Sequence, residues 1–163
     1  FPGHGRSKFD THFRKSVVEN LFEDIKKSDL VPFKLLKNEK MVMLAHIIYK
    51  NIDNKVATFS NVITNELLRK SFSFKGLILS DDLSMKALSG DLISKVNKTY
   101  NAGCNVILYC HGKLNEMQKI YPFSRKINDV YYNYFISKKP QKYLNNDIFN
   151  IKKELIENRV ISE

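Results

Sequence analysis

The sequence predicts an α/β fold with a parallel sheet, and two observations indicate it. Three short apolar runs are continuous rather than alternating, which is typical of strands covered on both faces: residues 41–45, 76–79 and 106–109. Segments with helical periodicity lie between these runs, and the strand centres are spaced by roughly 30 to 35 residues, the length of one strand-plus-helix unit. The pattern therefore predicts repeated βα units.

The elements follow in order along the chain. Residues 1–5 read as the end of an earlier strand and its turn, and residues 14–28 are predicted to form a helix because their apolar side chains fall on one face. A second helix is expected to follow Ser60, which can cap it. A third is expected over residues 91–100 and is ended by Gly103.

After His111 the pattern changes, and residues 112–163 are predicted to form two or three helices. This segment is rich in aromatic side chains, which could stack on bases or sugars but more often pack against a sheet. They are Tyr121, Phe123, Tyr131, Tyr132, Tyr134, Phe135, Tyr143 and Phe149. We therefore expect a helical extension that packs on the domain formed by residues 1–111.

Composition excludes several classes of protein. The chain has 163 residues, 43% hydrophobic and 27% charged, which suits one domain with a buried core. It contains no run of about 18 apolar residues, so no transmembrane helix is expected. Cys104 and Cys110 form no disulfide framework and are expected to be thiols in a reducing compartment.

The net charge of +10 raises the question of nucleic-acid binding. The basic residues are spread along the whole chain, and no known nucleic-acid motif accompanies them. A solvated basic surface, or a basic face that meets an acidic partner, is the favoured interpretation; a nucleic-acid-binding module is the weaker alternative.

Acidic and imidazole side chains follow four successive predicted strands. His46, Asp81 and His111 each come after an apolar run, and Asp10 and His12 follow the first turn closely. The carboxyl ends of parallel strands carry the active site in α/β folds, and above all in barrels. The sequence therefore predicts a functional site at this end of the sheet.

Each of these side chains also has a structural interpretation. Asp10 or Asp82 could cap a helix, and His46 or His111 could be a core histidine with satisfied hydrogen bonds. Asp10 and His12 could instead be half of a metal site. In that case His4 or His46 would have to complete it.

Five ordered motifs resemble glycoside hydrolase family 3, in its bacterial β-N-acetylhexosaminidase branch. The sequence FPGHG at residues 1–5, followed after four residues by Asp-Thr-His, is similar to the family's FPGHG-x4-D-[ST]-H signature. The other four are VMLAH, similar to VM-x-AH; ATFS, similar to PATxS; SDDLSM, which matches closely; and AGCN, similar to AGCD with Asn105 in place of Asp.

The resemblance implies a retaining glycosidase with no cofactor and no metal. Asp81 would be the nucleophile, His12 the acid/base and Asp10 the residue that orients His12. His4 and His46 would bind the substrate. Imidazole suits the acid/base role because it titrates near neutrality, and residues two apart in an extended loop point to the same side.

The family's fold is a (β/α)8 barrel, and the resemblance covers residues 1–111, about the C-terminal half of such a barrel. We therefore expect a partial barrel with a helical tail over residues 112–163, from a split, truncated or non-catalytic form of the enzyme. A separate chain could supply the N-terminal half. The expected substrate is an amino-sugar glycoside derived from peptidoglycan, and the expected location is the cytoplasm.

Overall fold

The computed structural model describes residues 1–137 together with residues 150, 152–154, 156 and 157. Tyr143 and Phe149, two aromatic residues of the predicted helical extension, lie outside the described residues. Among the described residues, none of the helices has the length and hydropathy that a membrane span requires.

Parallel strands form two small sheets. In the first, β1 (Ser16–Val18) pairs with β3 (Ile47–Tyr49). In the second, β4 (Leu77–Asp82) lies between β2 (Met41–Met43) and β5 (Val106–Leu108). The predicted α/β class with parallel strands is confirmed.

Phe1 extends the larger sheet on the side of β2 away from β4. Its nitrogen donates to the carbonyl of Met43, and its carbonyl accepts a 2.9 Å hydrogen bond from Ala45 N. On the opposite side of the same stretch, Leu44 N donates to the carbonyl of Leu79 at 2.9 Å. The order across the sheet is therefore Phe1, β2, β4, β5, which follows the order of the chain.

The predicted helix over residues 14–28 is wrong in its first part. Residues 16–18 form β1, and the helix α1 covers only Phe22–Lys27. The β-branched side chains of Val17 and Val18 favour an extended backbone, and the partner that makes it a strand is β3, about thirty residues later. Periodicity within a short window cannot reveal such a partner.

The helical segments fill the connections between strands. Ser60 Oγ accepts Ile63 N at 3.1 Å, Asp91 Oδ1 accepts Ser94 N at 2.9 Å, and Gly103 ends its helix with a φ of 109°. These three predicted boundaries are confirmed. After α1 the elements are α2 (Val31–Leu35), a 3-10 turn (Ala57–Phe59), a π-helix (Val62–Ser71), α3 (Leu92–Ala102), α4 (Leu114–Ile120), a second 3-10 turn (Tyr121–Phe123) and α5 (Asp129–Ser137).

Helix α5 packs at the amino ends of β2 and β4. The Tyr131 ring lies 4.0 Å from the guanidinium carbon of Arg69, which itself donates to the carbonyls of Phe74 and Gly76 just before β4. Tyr134 Oη donates to the carbonyl of Asn38, just before β2, at 3.1 Å. This helix therefore leaves the carboxyl ends of the two strands uncovered.

Candidate active site

Four of the five predicted site residues line one cavity at the carboxyl end of the sheet. His4, Asp10, His12 and Asp81 surround a space of about 540 Å³. His4 and Asp81 also border a neighbouring cavity of about 390 Å³ that runs along β2. Asp81 therefore stands where the two spaces meet.

Asp81 is placed by the central strand. It is the second-to-last residue of β4, and β4 is hydrogen-bonded on both sides, so its backbone position is fixed. Its side chain is half-buried, and its Oδ1 accepts a hydrogen bond from Asp82 N at 2.8 Å. That bond orients the carboxylate at the mouth of the cavity and leaves Oδ2 available for another contact.

Asp10 and His12 form a hydrogen-bonded pair on an exposed loop. Asp10 Oδ1 lies 2.8 Å from His12 Nδ1 and also accepts His12 N at 2.9 Å. These two bonds hold the pKa of the Asp10 carboxyl below its usual range. With Nδ1 engaged by a carboxylate, Nε2 is the ring nitrogen left for a reacting group.

The predicted extended loop around this pair is a tight turn instead. The carbonyl of Asp10 accepts hydrogen bonds from Phe13 N and Arg14 N, both at 3.2 Å. The pairing of Asp10 and His12 therefore comes from side-chain-to-backbone bonding within a turn, not from alternation along a strand. Asp favours such a turn because its side chain can accept a hydrogen bond from the backbone N–H two residues later, here that of His12.

Thr11 fastens the exposed loop to the domain. Its residue surface is only 3% exposed, and its carbonyl accepts a 3.3 Å hydrogen bond from Ala87 N. Arg14 packs its guanidinium 3.6 Å from the centre of the Phe9 ring across the loop. The pair is thus carried by a loop with one buried anchor between two exposed functional side chains.

His4 lies on the turn that follows Phe1. Burial lowers its pKa, and the carboxylate of Asp81, which lines the same cavity, partly offsets that effect. The buried Tyr49 hydroxyl donates to the carbonyl of Gly3 and so holds the turn in place.

His46 does not reach the cavity. It is fully buried, its Nδ1 lies 2.7 Å from Thr58 Oγ1, and its Nε2 lies 2.9 Å from the carbonyl of Asp82. The carbonyl of Asp82 can only accept, so Nε2 carries a proton, while the Thr58 hydroxyl that faces Nδ1 also donates to the carbonyl of Ala45 at 3.1 Å. Burial lowers the His46 pKa. In this conformation the ring offers no nitrogen to a ligand.

Asp82 holds the ends of two strands together. Its carboxylate accepts hydrogen bonds from Ser84 N and Cys110 N, both at 3.0 Å, and from the Ser84 hydroxyl. Burial would raise its pKa, but these bonds outweigh burial and hold the pKa below the usual range. The carboxylate is therefore engaged in supporting β4 and the turn after it.

Sequence reasoning treated Thr11 only as the spacer between Asp10 and His12, and it missed both the anchoring role of Thr11 and the contact of Thr58 with His46. Thr58 lies in the ATFS segment, so the motif marked its position although not its hydrogen bond to His46. Within the described residues, no group of three or more His, Cys, Asp or Glu side chains is close enough to hold a metal ion.

Residues 1–127 match the family model described as the glycosyl hydrolase family 3 N-terminal domain. The chain belongs to glycoside hydrolase family 3. The resemblance drawn from the five motifs is confirmed at this level, and the match extends beyond the last motif into α4 and the second 3-10 turn.

Named relatives in the family are beta-hexosaminidases. The chain is 37% identical over 115 residues to the enzyme of Nitrosomonas eutropha, an alignment that covers 68% of this chain and 33% of that protein. It is 36% identical over 115 residues to the enzyme of Neisseria gonorrhoeae, covering 68% of this chain and 32% of that protein. The alignments thus span about a third of the length of these curated relatives.

Solved structures in the family share the fold. A beta-N-acetylglucosaminidase from Thermotoga maritima is 28% identical with a TM-score of 0.63, over 96% of this chain and 33% of that one. Native NagZ from Neisseria gonorrhoeae has a TM-score of 0.72 over 100% of this chain and 50% of that one. At 23% identity, the second comparison bears on the fold alone.

Proposed function

We propose that the chain carries the catalytic groups of a retaining β-N-acetylhexosaminidase that removes terminal N-acetylglucosamine from peptidoglycan-derived fragments. One observation carries the proposal: a single cavity brings together the Asp81 carboxylate and the hydrogen-bonded Asp10–His12 pair. The family membership and the names of the relatives support the substrate class.

In the first step, a carboxylate oxygen of Asp81 attacks the anomeric carbon of the sugar. The bond from that carbon to the leaving oxygen breaks, and His12 gives the proton on Nε2 to the leaving oxygen. The product of this step is a glycosyl ester on Asp81. Asp10 keeps the imidazole oriented through Nδ1 throughout.

In the second step, water attacks the anomeric carbon from the side the leaving group vacated. His12 Nε2 takes the proton of the water, and the ester bond to Asp81 breaks. Two inversions restore the original anomeric configuration. Both steps use only the carboxylate and the imidazole, so no cofactor or metal enters the proposed mechanism.

The two remaining histidines take different roles in this proposal. His4 lines the cavity beside Asp81 and is proposed to contact the sugar. His46 is proposed to act indirectly, as a positioning residue: its hydrogen bond to the carbonyl of Asp82 holds the end of β4 in place. The substrate contact expected of His46 from the resemblance would require its two hydrogen bonds to break.

We also propose that residues 1–111 are about half of a (β/α)8 barrel, with residues 112–163 as a helical extension. The consecutive parallel order Phe1, β2, β4, β5 supports a barrel sector. Met41 and Met43 project from one face of β2 and are 50% and 45% exposed, as expected for a face that the rest of a barrel covers. That remainder could belong to the same polypeptide or to a separate chain. We also propose a cytoplasmic location, in keeping with peptidoglycan-derived fragments as the substrate.

Complementation tests the proposal. The chain is co-expressed with the part of the Nitrosomonas eutropha beta-hexosaminidase that precedes the aligned region, and the complex is assayed on 4-nitrophenyl N-acetyl-β-D-glucosaminide. We expect hydrolysis, and proton NMR should show the β anomer of the sugar as the first product. A folded complex without hydrolysis would indicate a non-catalytic remnant, and an α anomer formed first would exclude the retaining mechanism.

A further inference from the structure

A second cavity, away from the candidate active site, has the features of a ligand site. It encloses about 500 Å³ and shares no lining residue with the two cavities that Asp81 borders. Its walls come from residue 15, from β3, from residues 54–61, from residues 87–89 and from the C-terminal half of α3. Pockets of this volume hold small organic ligands in other proteins.

The floor of the cavity is apolar. Ile48, Val56, Phe59 and Leu88 form it, and all four are buried or half-buried and belong to one hydrophobic cluster. A ligand that covers this floor would remove apolar surface from water and needs an apolar body to do so.

The rim of the cavity is cationic. Lys15, Lys55 and Lys98 line it from three different segments, and no Asp or Glu belongs to the lining among the described residues. Within that same part of the chain, none of the three ammonium groups has an ion-pair partner; Lys98 Nζ lies 5.9 Å from the centre of the Phe59 ring.

Asp53, two residues before Lys55, makes its hydrogen bonds inside the turn that forms the cavity wall. Asp53 Oδ2 accepts the Ser60 hydroxyl at 2.7 Å, and its Oδ1 accepts Lys55 N at 3.3 Å. Among the described residues, its carboxylate forms no ion pair with a lysine of the rim. Amide side chains add neutral hydrogen-bond donors at the same rim: Asn54, Asn61 and Asn101.

We propose that this cavity is a binding site for a small organic anion that carries two negative charges at one end, such as a phosphate monoester, and an apolar body at the other. The charged end lies among the lysines and asparagines, and the apolar body lies on the floor. Neither half of the ligand alone makes both sets of contacts.

The site is joined to the catalytic loop by one hydrogen bond. Ala87 lines the cavity, and its nitrogen donates to the carbonyl of Thr11, between Asp10 and His12. Lys15, on the rim, follows the same loop. A ligand in the cavity therefore touches the residue that anchors the loop and a residue that follows it, so binding should change the NMR signals of both.

Titration of the full chain with 1-naphthyl phosphate tests the proposal by calorimetry. Inorganic phosphate and 1-naphthol serve as probes of the charged end and of the apolar body alone. We expect 1-naphthyl phosphate to bind at least about tenfold more tightly than either, with an affinity that falls as salt is added. In amide NMR spectra the signals of Ala87 and Thr11 should shift with it.

Two charge-matched double variants locate the site. Lys55→Gln with Lys98→Gln removes two rim charges and should weaken binding by roughly threefold to tenfold for each lysine lost. Lys34→Gln with Lys75→Gln removes the same charge from exposed positions outside the cavity and should leave the affinity unchanged.

Equal weakening in both variants would show that the anion follows the overall charge of the protein and would overturn the proposal. So would equal binding of 1-naphthol and 1-naphthyl phosphate, or shifts confined to the face of Met41 and Met43. Because the readout is binding and not hydrolysis, the result is independent of the proposed glycosidase activity.

Discussion

The end of β4 and the loop around Asp10 contribute to the same cavity but are built in opposite ways. Asp81 lies on a strand that is paired on both sides, and the next residue, Asp82, is bound to both Ser84 and Cys110. Asp10 and His12 have side chains that are 57% and 71% exposed, and their loop is fastened mainly through buried Thr11.

The difference matches the chemistry proposed for each part. A nucleophile must meet one carbon atom at a fixed angle, so a rigid strand end suits it. An acid/base group must serve a leaving oxygen in one step and a water in the next, so a less constrained loop suits it. The carboxylate is therefore held by the more constrained part of the site, and the imidazole is held by the less constrained part.

The largest effect on activity is expected from a substitution of Asp81, at the end of β4. In the complemented enzyme, Asp81→Asn should lower kcat on 4-nitrophenyl N-acetyl-β-D-glucosaminide by several orders of magnitude, because an amide is a poor nucleophile and carries no charge to stabilise the transition state. Asp129→Asn, an exposed carboxylate of α5, is the control and should retain full activity. Near-parental turnover by Asp81→Asn would remove Asp81 from this role.

The loop should respond differently. His12→Ala should slow an N-acetylglucosaminide with a poor alkyl leaving group by about 10²–10⁴-fold and an activated aryl substrate by much less, because only the poor leaving group needs a proton. Added chelator should leave both rates unchanged. Equal losses on the two substrates would make His12 a structural residue, and inhibition by chelator would favour a metal site instead.

Asp82 should affect stability rather than chemistry. Its pKa is held below the usual range in the folded state, so its stabilising contribution is complete above about pH 4 and is lost as the pH falls through the lower, folded value. At pH 7, Asp82→Asn should lower the free energy of unfolding by about 1–3 kcal/mol, since the amide loses charge-assisted bonds.

Urea unfolding of both proteins at pH 7 and at decreasing pH checks this expectation. The difference between wild type and Asp82→Asn should shrink as the solution is acidified. A difference that stays constant or grows with acid would contradict the assigned sign, and the Asp129→Asn control should stay within about 0.5 kcal/mol of wild type throughout.

The smallest effect is expected at the amino end of the sheet. Asn105 Oδ1 accepts Arg69 Nη2 at 2.7 Å and Ile78 N at 2.8 Å. Asn105→Asp, which restores the residue found in the family motif, should make the Arg69 bond charge-assisted and raise stability by about 0.5–1 kcal/mol. Calorimetric melting would show an increase of a few degrees, and a lower melting temperature would mean that desolvation of the new carboxylate outweighs the ion pair.

Much of this protein was determined by local sequence. Continuous apolar runs predicted the parallel strands of the larger sheet, and Ser60, Asp91 and Gly103 marked helix boundaries because capping and a left-handed backbone depend on single residues. The motifs identify the family, and they single out Asp10, His12 and Asp81 from the sequence alone.

Other features were decided only by tertiary contacts. Residues 16–18 carry a helical pattern but form a strand because β3 offers them a hydrogen-bonding edge. His46 follows an apolar run in the same way as Asp81 follows another, yet its ring turns inward to Thr58 and Asp82 while Asp81 faces the cavity. Sequence sets which groups stand at a strand end; which of them meets solvent depends on neighbours that are distant in the chain, because burial and hydrogen-bond partners are properties of the packed structure.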